Sequence, residues 1–353
     1  ISFVGYQKLR IVIGEFENDK TYALAQDTRE LDAVSVIAKP EKFKLKTFMR
    51  KAIKDFNSSK NGDSHIAYTH YREGATKDGK PIMYIESIGY SIFLSNKGWA
   101  PYANYKFISE ETRAYADHPA WTTYGINVSG KPANGVHSSG STILRAYRVL
   151  ENKGLFSSGN FKKYSFKLDS SYTESNHEIL VVNFKSGFDK GKIYVNGDNY
   201  QIQKMFYSSK YYWSNPFYKN IRAAISLSFS YKEGVPYIAS GSSQYTQDGL
   251  THINQLQVIL QKDAILDLDD KSVGVINNYG NNPLISYNED FWKENQFTFA
   301  EPWCTNCSNF ELNTMTEYFQ SSHNNKLIPS DKPLSVKESD HYKIIQALIN
   351  QFK

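Results

Sequence analysis

The chain has 353 residues, enough for two or three domains each with a core of its own. Its 41 Lys and Arg stand against 36 Asp and Glu with no long run of one sign, which argues against nucleic acid or acidic lipid as the main partner. Two cysteines are too few for a disulfide-scaffolded module, and no apolar run approaches the ~20 residues of a membrane-spanning helix.

Aromatic residues make up 15% of the chain and stand mostly in short alternating segments between Gly, Asn, Asp and Ser, so mostly antiparallel sheet is expected. Three strand-like pieces open it: "ISFVGYQKLRIVI", "KTYALAQ" and "ELDAVSVIA", the last ending at Ala38. Pro40 can start a helix, and Leu45, Phe48, Met49, Ala52, Ile53 and Phe56 then fall on one stripe at helical spacing. The basic residues between them read as the charged face of an amphipathic helix linking two units, over 39–62.

Strand signals return in "SHIAYTHYRE" and "PIMYIESIGYSIFLS", with "GATKDGK" between them as a hairpin loop. Periodicity is poor from Gly98 to Ser139, and "GSTILRAYRVLENKG" reads as a second helix capped by Ser141. Seven strands with hairpin-sized gaps follow, at 161–168, 177–184, 190–196, 200–208, 221–231, 236–246 and 251–262, which predicts one large, curved antiparallel sheet. The hairpin "GKIYVNGDNYQIQKMFY" is the clearest, because Asn196, Gly197, Asp198 and Asn199 tolerate positive φ. Toward the end "FWKEN", "NFELNTMTEYFQ" and "SVKESDHYKIIQALINQFK" look helical.

Two stretches resemble known families. "ISFVGYQKLRIVI" with "YALAQDTRELDAVSVIA" resembles the second half of the carboxypeptidase regulatory-like domain, a prealbumin-like β-sandwich, through Gly5-Tyr6 and the spacing of Leu31, Val34 and Val36. The earlier strands of that sandwich have no counterpart, so either a preceding segment was removed or a partner is expected to supply strands at the N-terminal edge. "LKTFMRKAIKDF", "AYTHYREG", "GKPIMYIESIGYSIF", "GKIYVNGDNYQIQKMFY" and "YNEDFWKENQ" resemble successive blocks of Bacteroidota envelope proteins, in which this sandwich precedes a large β-rich domain. The strand-turn-strand block is also similar to periplasmic lipoprotein carriers whose curved sheet wraps a lipid chain. The resemblance implies a mainly β protein with some α: a partial sandwich over 1–38, a large sheet domain over 63–300 and a helical segment over 301–353. It further implies export and association with the outer membrane. No charged n-region and apolar h-region stand at the front, so any signal segment is expected to be absent from this chain.

Motif by motif, chemistry finds little support. "HYRE" matches an H-x-x-E zinc pair, but on a strand His70 and Glu73 point to opposite faces, while a zinc site needs converging ligands. "EPWCTNC" sets Cys304 and Cys307 in a W-C-x-x-C pattern, which reads as a small-loop disulfide before it reads as a thiol-disulfide exchange site. "NGVHSSGST" could hold an anion at a helix start, yet it lacks the phosphate-loop glycines and lysine. There is no G-x-S-x-G, and "DLDDKSVG" is not an EF-hand loop. No catalytic residue, metal or cofactor is assigned.

The aromatic stretch "FYSSKYYWSNPFY" makes Tyr211, Tyr212, Trp213, Phe217 and Tyr218 a candidate contact surface. These residues and their patterns lead to three expectations. The first is a non-catalytic subunit or accessory of an envelope complex, with a protein partner and no transmembrane segment. The second is a carrier with a continuous apolar cavity lined by alternate residues of 161–262, for a lipid or other apolar ligand. The third is a CxxC oxidoreductase.

Overall fold

The structure, a computed structural model, describes residues 44–59, 65–93, 105–116, 154–157, 159–187, 189–209, 222–247, 249–265, 288–294 and 350. Three strands precede a long connection: β1 (His65–Lys77), β2 (Lys80–Phe93) and β3 (Tyr105–Ala116). Seven follow it: β4 (Ser165–Glu174), β5 (His177–Ser186), β6 (Asp189–Asn196), β7 (Ile202–Ser209), β8 (Arg222–Lys232), β9 (Val235–Gln247) and β10 (Leu250–Ile265). All ten form one open antiparallel sheet in the order β3-β2-β1-β10-β9-β8-β7-β6-β5-β4. Two α-helices belong to the described residues, α1 (Leu45–Ser59) and α2 (Glu289–Glu294), with a 3-10 turn at Phe161–Lys163 where the strand expected at 161–168 was to begin. The large antiparallel sheet with packed helices is therefore as expected, while the sandwich read over 1–38 lies outside the described residues.

The stripe read on α1 is the stripe that packs: Phe48, Met49, Ala52, Ile53 and Phe56 are buried. Phe56 sits between the rings of Phe156, 5.2 Å away, and Phe229, 5.0 Å away, and the Asn57 amide donates to the Phe156 carbonyl at 2.8 Å. Burying each such ring stabilises by about 1.5–3 kcal/mol, which outweighs the weak intrinsic preference of a fifteen-residue helix. Its basic side is partly employed as well, since Lys51 lies 3.8 Å from the Tyr200 ring centre and Arg50 lies 5.5 Å from that of Phe161.

Register assigns each residue to a face. On the helix face Leu180, Val182, Phe184, Val195, Met205, Tyr207, Leu227 and Phe229 join the α1 stripe in one core. Alternate residues of the same strands, such as Asn183, Lys192 and Ser226, point to the outer face. The apolar residues expected to line a cavity are thus packed against α1 and one another among the described residues.

Three local readings need correction. "GATKDGK" is mostly strand: Ala75 and Thr76 pair with both β2 and β10, leaving Asp78 (φ 51°) and Gly79 (φ 79°) as a two-residue turn. A central strand gains ladder bonds on both sides, and positive φ at both positions matches the twist of a tight hairpin. β3 was hidden in the region of poor periodicity because it is an edge strand with charged residues in "SEETR", which suits an unpaired edge but breaks the alternation.

In the β6–β7 hairpin the positive φ falls on Tyr200 (66°), not on Asn196, Gly197, Asp198 or Asn199. The Asn196 side-chain Oδ1 accepts from the backbone N–H of Asp198 and Asn199 and shapes the loop, while the Tyr200 ring packs 4.9 Å from Phe48. Tertiary contact with α1 compensates a backbone state that bulky residues seldom adopt.

Candidate functional site: a groove on the outer face

Antiparallel pairs standing directly opposite share a face, so the register defines rows of side chains running across the sheet. One outer row reads Lys167, Asn183, Lys192, Phe206, Ser226 and Ser242 from β4 to β9. The next reads Ser165, Lys185, Lys190, Ser208, Ala224 and Gln244. Between these two rows lies a groove of about 780 Å³. The intervening row, Phe166, Phe184, Gly191, Tyr207 and Ile225, turns its side chains to the helix face, so its backbone makes the floor. Gly191 is needed there because a Cβ would overlap the Phe184 ring and the Phe206 carbonyl.

The groove is basic on β4–β6. Asp169, at a bulge between Leu168 and Ser170, lies on the outer face two residues beyond Lys167, where it accepts from Lys192 Nζ and Asn183 Nδ2, each at 2.9 Å. Those hydrogen bonds hold the Asp169 carboxyl below its usual range, and the bond to Asp169 raises Lys192. Lys185 and Lys190 face each other directly across β5 and β6, both exposed and, among the described residues, neither in an ion pair with an acid.

Past β9 the first row continues through Gln255, Arg72, Glu86 and Arg113 on β10, β1, β2 and β3, and here it is buried or nearly so. Arg72 donates to Gln255. Glu86 accepts from His70 Nε2 at 2.6 Å, Arg113 Nη2 at 2.6 Å and the Tyr84 hydroxyl at 2.9 Å. Burial alone would raise the Glu86 pKa, but the His70 hydrogen bond and the Arg113 charge outweigh it and hold it at about 2. Burial, assisted by the two arginines, lowers His70 against the pull of Glu86, so His70 is neutral near pH 7 and donates through Nε2. Burial raises Tyr84. The Trp292 ring of α2 covers Arg113 at 4.4 Å.

A second polar group backs the first across β1, on the helix face. Glu73, fully buried, accepts from His252 at 2.7 Å and from the Tyr71 hydroxyl at 2.5 Å, and Tyr71 also lies 2.9 Å from Asn254 Oδ1. A phenol has one proton to give, so Glu73 and Asn254 share it. Every group in this set is at once held and screened by its neighbours, which suits a structural tie joining β1 to β10.

His70 and Glu73 thus stand on opposite faces, each with a different partner, as strand geometry requires. Among the described residues no three His, Cys, Asp or Glu converge as a metal site needs. Cys304 and Cys307, and the aromatic set Tyr211, Tyr212, Trp213, Phe217 and Tyr218, lie outside the described residues. The lysine groove was missed because it needs cross-strand register; its sequence traces are the alternation of Lys190 and Lys192 around Gly191 and of Ser226 and Ser228.

The site defines a class: an open ten-stranded sheet with a helix-filled apolar face and, on the other, a groove of mostly apolar lining rimmed by lysines. No family model and no curated protein matches the chain. Solved structures do overlap it. One is a DUF1329 family protein from Desulfovibrio piger, with TM-score 0.27 and 11% identity over 65% of this chain and 96% of that one. Another, from Vibrio parahaemolyticus, is described as an outer membrane lipoprotein-sorting protein domain, with TM-score 0.28 and 10% identity over 65% of this chain and 100% of that one. A LolA superfamily protein from Nitrosomonas europaea has TM-score 0.24 and 10% identity over 63% of this chain and 96% of that one. Overlap of this extent leaves function to be argued from the site itself.

Proposed function

We propose that this chain is a non-catalytic binding protein of a Bacteroidota-type cell envelope, working as the ligand-holding subunit or accessory of a larger assembly. The observation that carries the binding role is the groove across β4–β9, whose walls are Lys, Ser, Asn, Gln and Phe. Such groups recognise a ligand by charge and hydrogen bonds, whereas the histidines and glutamates of β1, β2 and β10 are committed to one another. The envelope location rests on the blocks of sequence similar to Bacteroidota envelope proteins. A carrier role for a lipid or other largely apolar ligand fits the same groove, whose lining is mostly apolar between the lysines.

Native protein purified in mild detergent, with its bound molecule released and identified by mass spectrometry, tests the reading. Ser226→Trp fills the groove from an outer-face position and leaves the core untouched, so the bound molecule should vanish while far-UV circular dichroism stays unchanged. An equally loaded Ser226→Trp protein would refute the groove as the site, and recovery of the protein in the cytosolic fraction would refute the location.

A further inference from the structure

We infer that the groove takes an extended acidic glycan; this rests on the reading of the groove as the binding site. Lys185 and Lys190 stand directly opposite each other on β5 and β6, and like charges in that position repel. In the neighbouring row Asp169 stands beside Lys192, whereas no acid among the described residues pairs with Lys185 or Lys190. An anion lying between them turns that repulsion into two charge-assisted contacts.

Groove shape excludes a compact anion as the whole ligand. Six strands about 4.8 Å apart give a channel roughly 24 Å long, and rows two residues apart make it about 7 Å wide. Away from the lysines the lining is mostly apolar surface, in which Ser208, Ser226, Ser242 and Gln244 set hydroxyl and amide groups able to exchange hydrogen bonds with a chain rich in hydroxyls. Half-buried Phe206 adds an apolar patch for the C–H face of a sugar ring. A linear chain with carboxylates and many hydroxyls meets all three requirements at once.

Calorimetric titration of the full chain with three probes of equal length tests this: an oligogalacturonate, a neutral malto-oligosaccharide and an oligoglutamate. The oligogalacturonate should bind at least ~10-fold tighter than either of the others and weaken as salt rises. The Lys185→Gln/Lys190→Gln pair should cost about tenfold or more in its affinity, since two charge-assisted contacts go, and Ser226→Trp should abolish binding. Equal binding of oligoglutamate, or of the malto-oligosaccharide, with sensitivity to Ser226→Trp would overturn the acidic glycan and leave the groove as a binding site. Absence of any binding sensitive to Ser226→Trp would overturn both.

Discussion

Glu86→Gln isolates the charge in the buried network without changing its shape. At neutral pH the variant leaves Arg113, only 17% exposed, facing a neutral amide, and turns one of the two accepting oxygens, Oε1 toward His70 or Oε2 toward Tyr84 and Arg113, into an NH2 donor. The fall of the Glu86 pKa from 4.5 to about 2 corresponds to about 3 kcal/mol of stability, and breaking a buried ion pair from one side costs about 3–5 kcal/mol. The two routes agree on roughly 3 kcal/mol. Because the folded pKa is depressed, that stability is present above the unfolded value and is lost as pH falls from about 5 to about 2. His70 is lowered too, so its share is complete well above its ordinary pKa and fades as acid charges it in the unfolded chain. Urea unfolding at a series of pH values reads both effects. Wild type should lose stability steeply in acid, Glu86→Gln should start lower with a flatter limb, and the two should converge near the acid end. A loss below about 1 kcal/mol at neutral pH, the size of an exposed pair, or an acid limb as steep as that of wild type would refute the reasoning.

Phe56→Ala empties the space between Phe156 and Phe229 and should cost about 3–5 kcal/mol in urea unfolding, with the α1 amides losing hydrogen-exchange protection first. Tyr71→Phe takes the shared proton from buried Glu73 and Asn254 and should cost about 1–3 kcal/mol in the same assay. Gly191→Ala drives a Cβ into the Phe206 backbone carbonyl as well as the Phe184 ring and should cost about 3 kcal/mol or more, while Gly187→Ala, where nothing crowds a Cβ, should cost less despite its φ of 54°.

Local patterns carried most of the secondary structure. The α1 stripe was legible because an amphipathic helix writes its buried face into residues a few positions apart. Strands β5 to β10 were legible because alternation and turn residues act over the same short range, and their observed limits lie within three residues of the expected ones, whereas the strand expected at 161–168 runs over Ser165–Glu174, because Phe161–Lys163 wind into a 3-10 turn that buries Phe161. Edge strand β3 escaped because its charged edge residues break the alternation, and Tyr200 escaped because a contact with Phe48, distant in the sequence, holds its backbone.

By itself, then, the sequence determined the strands, the helix stripe and the fact that His70 and Glu73 cannot share one ligand, all consequences of periods of two and 3.6 residues. Tertiary structure alone decided that β1 docks on β10, 183 positions apart at the Arg72–Gln255 bond, and so which acid meets which base. It also decided the groove, because a row across six strands joins residues that register, and not proximity in the chain, brings side by side.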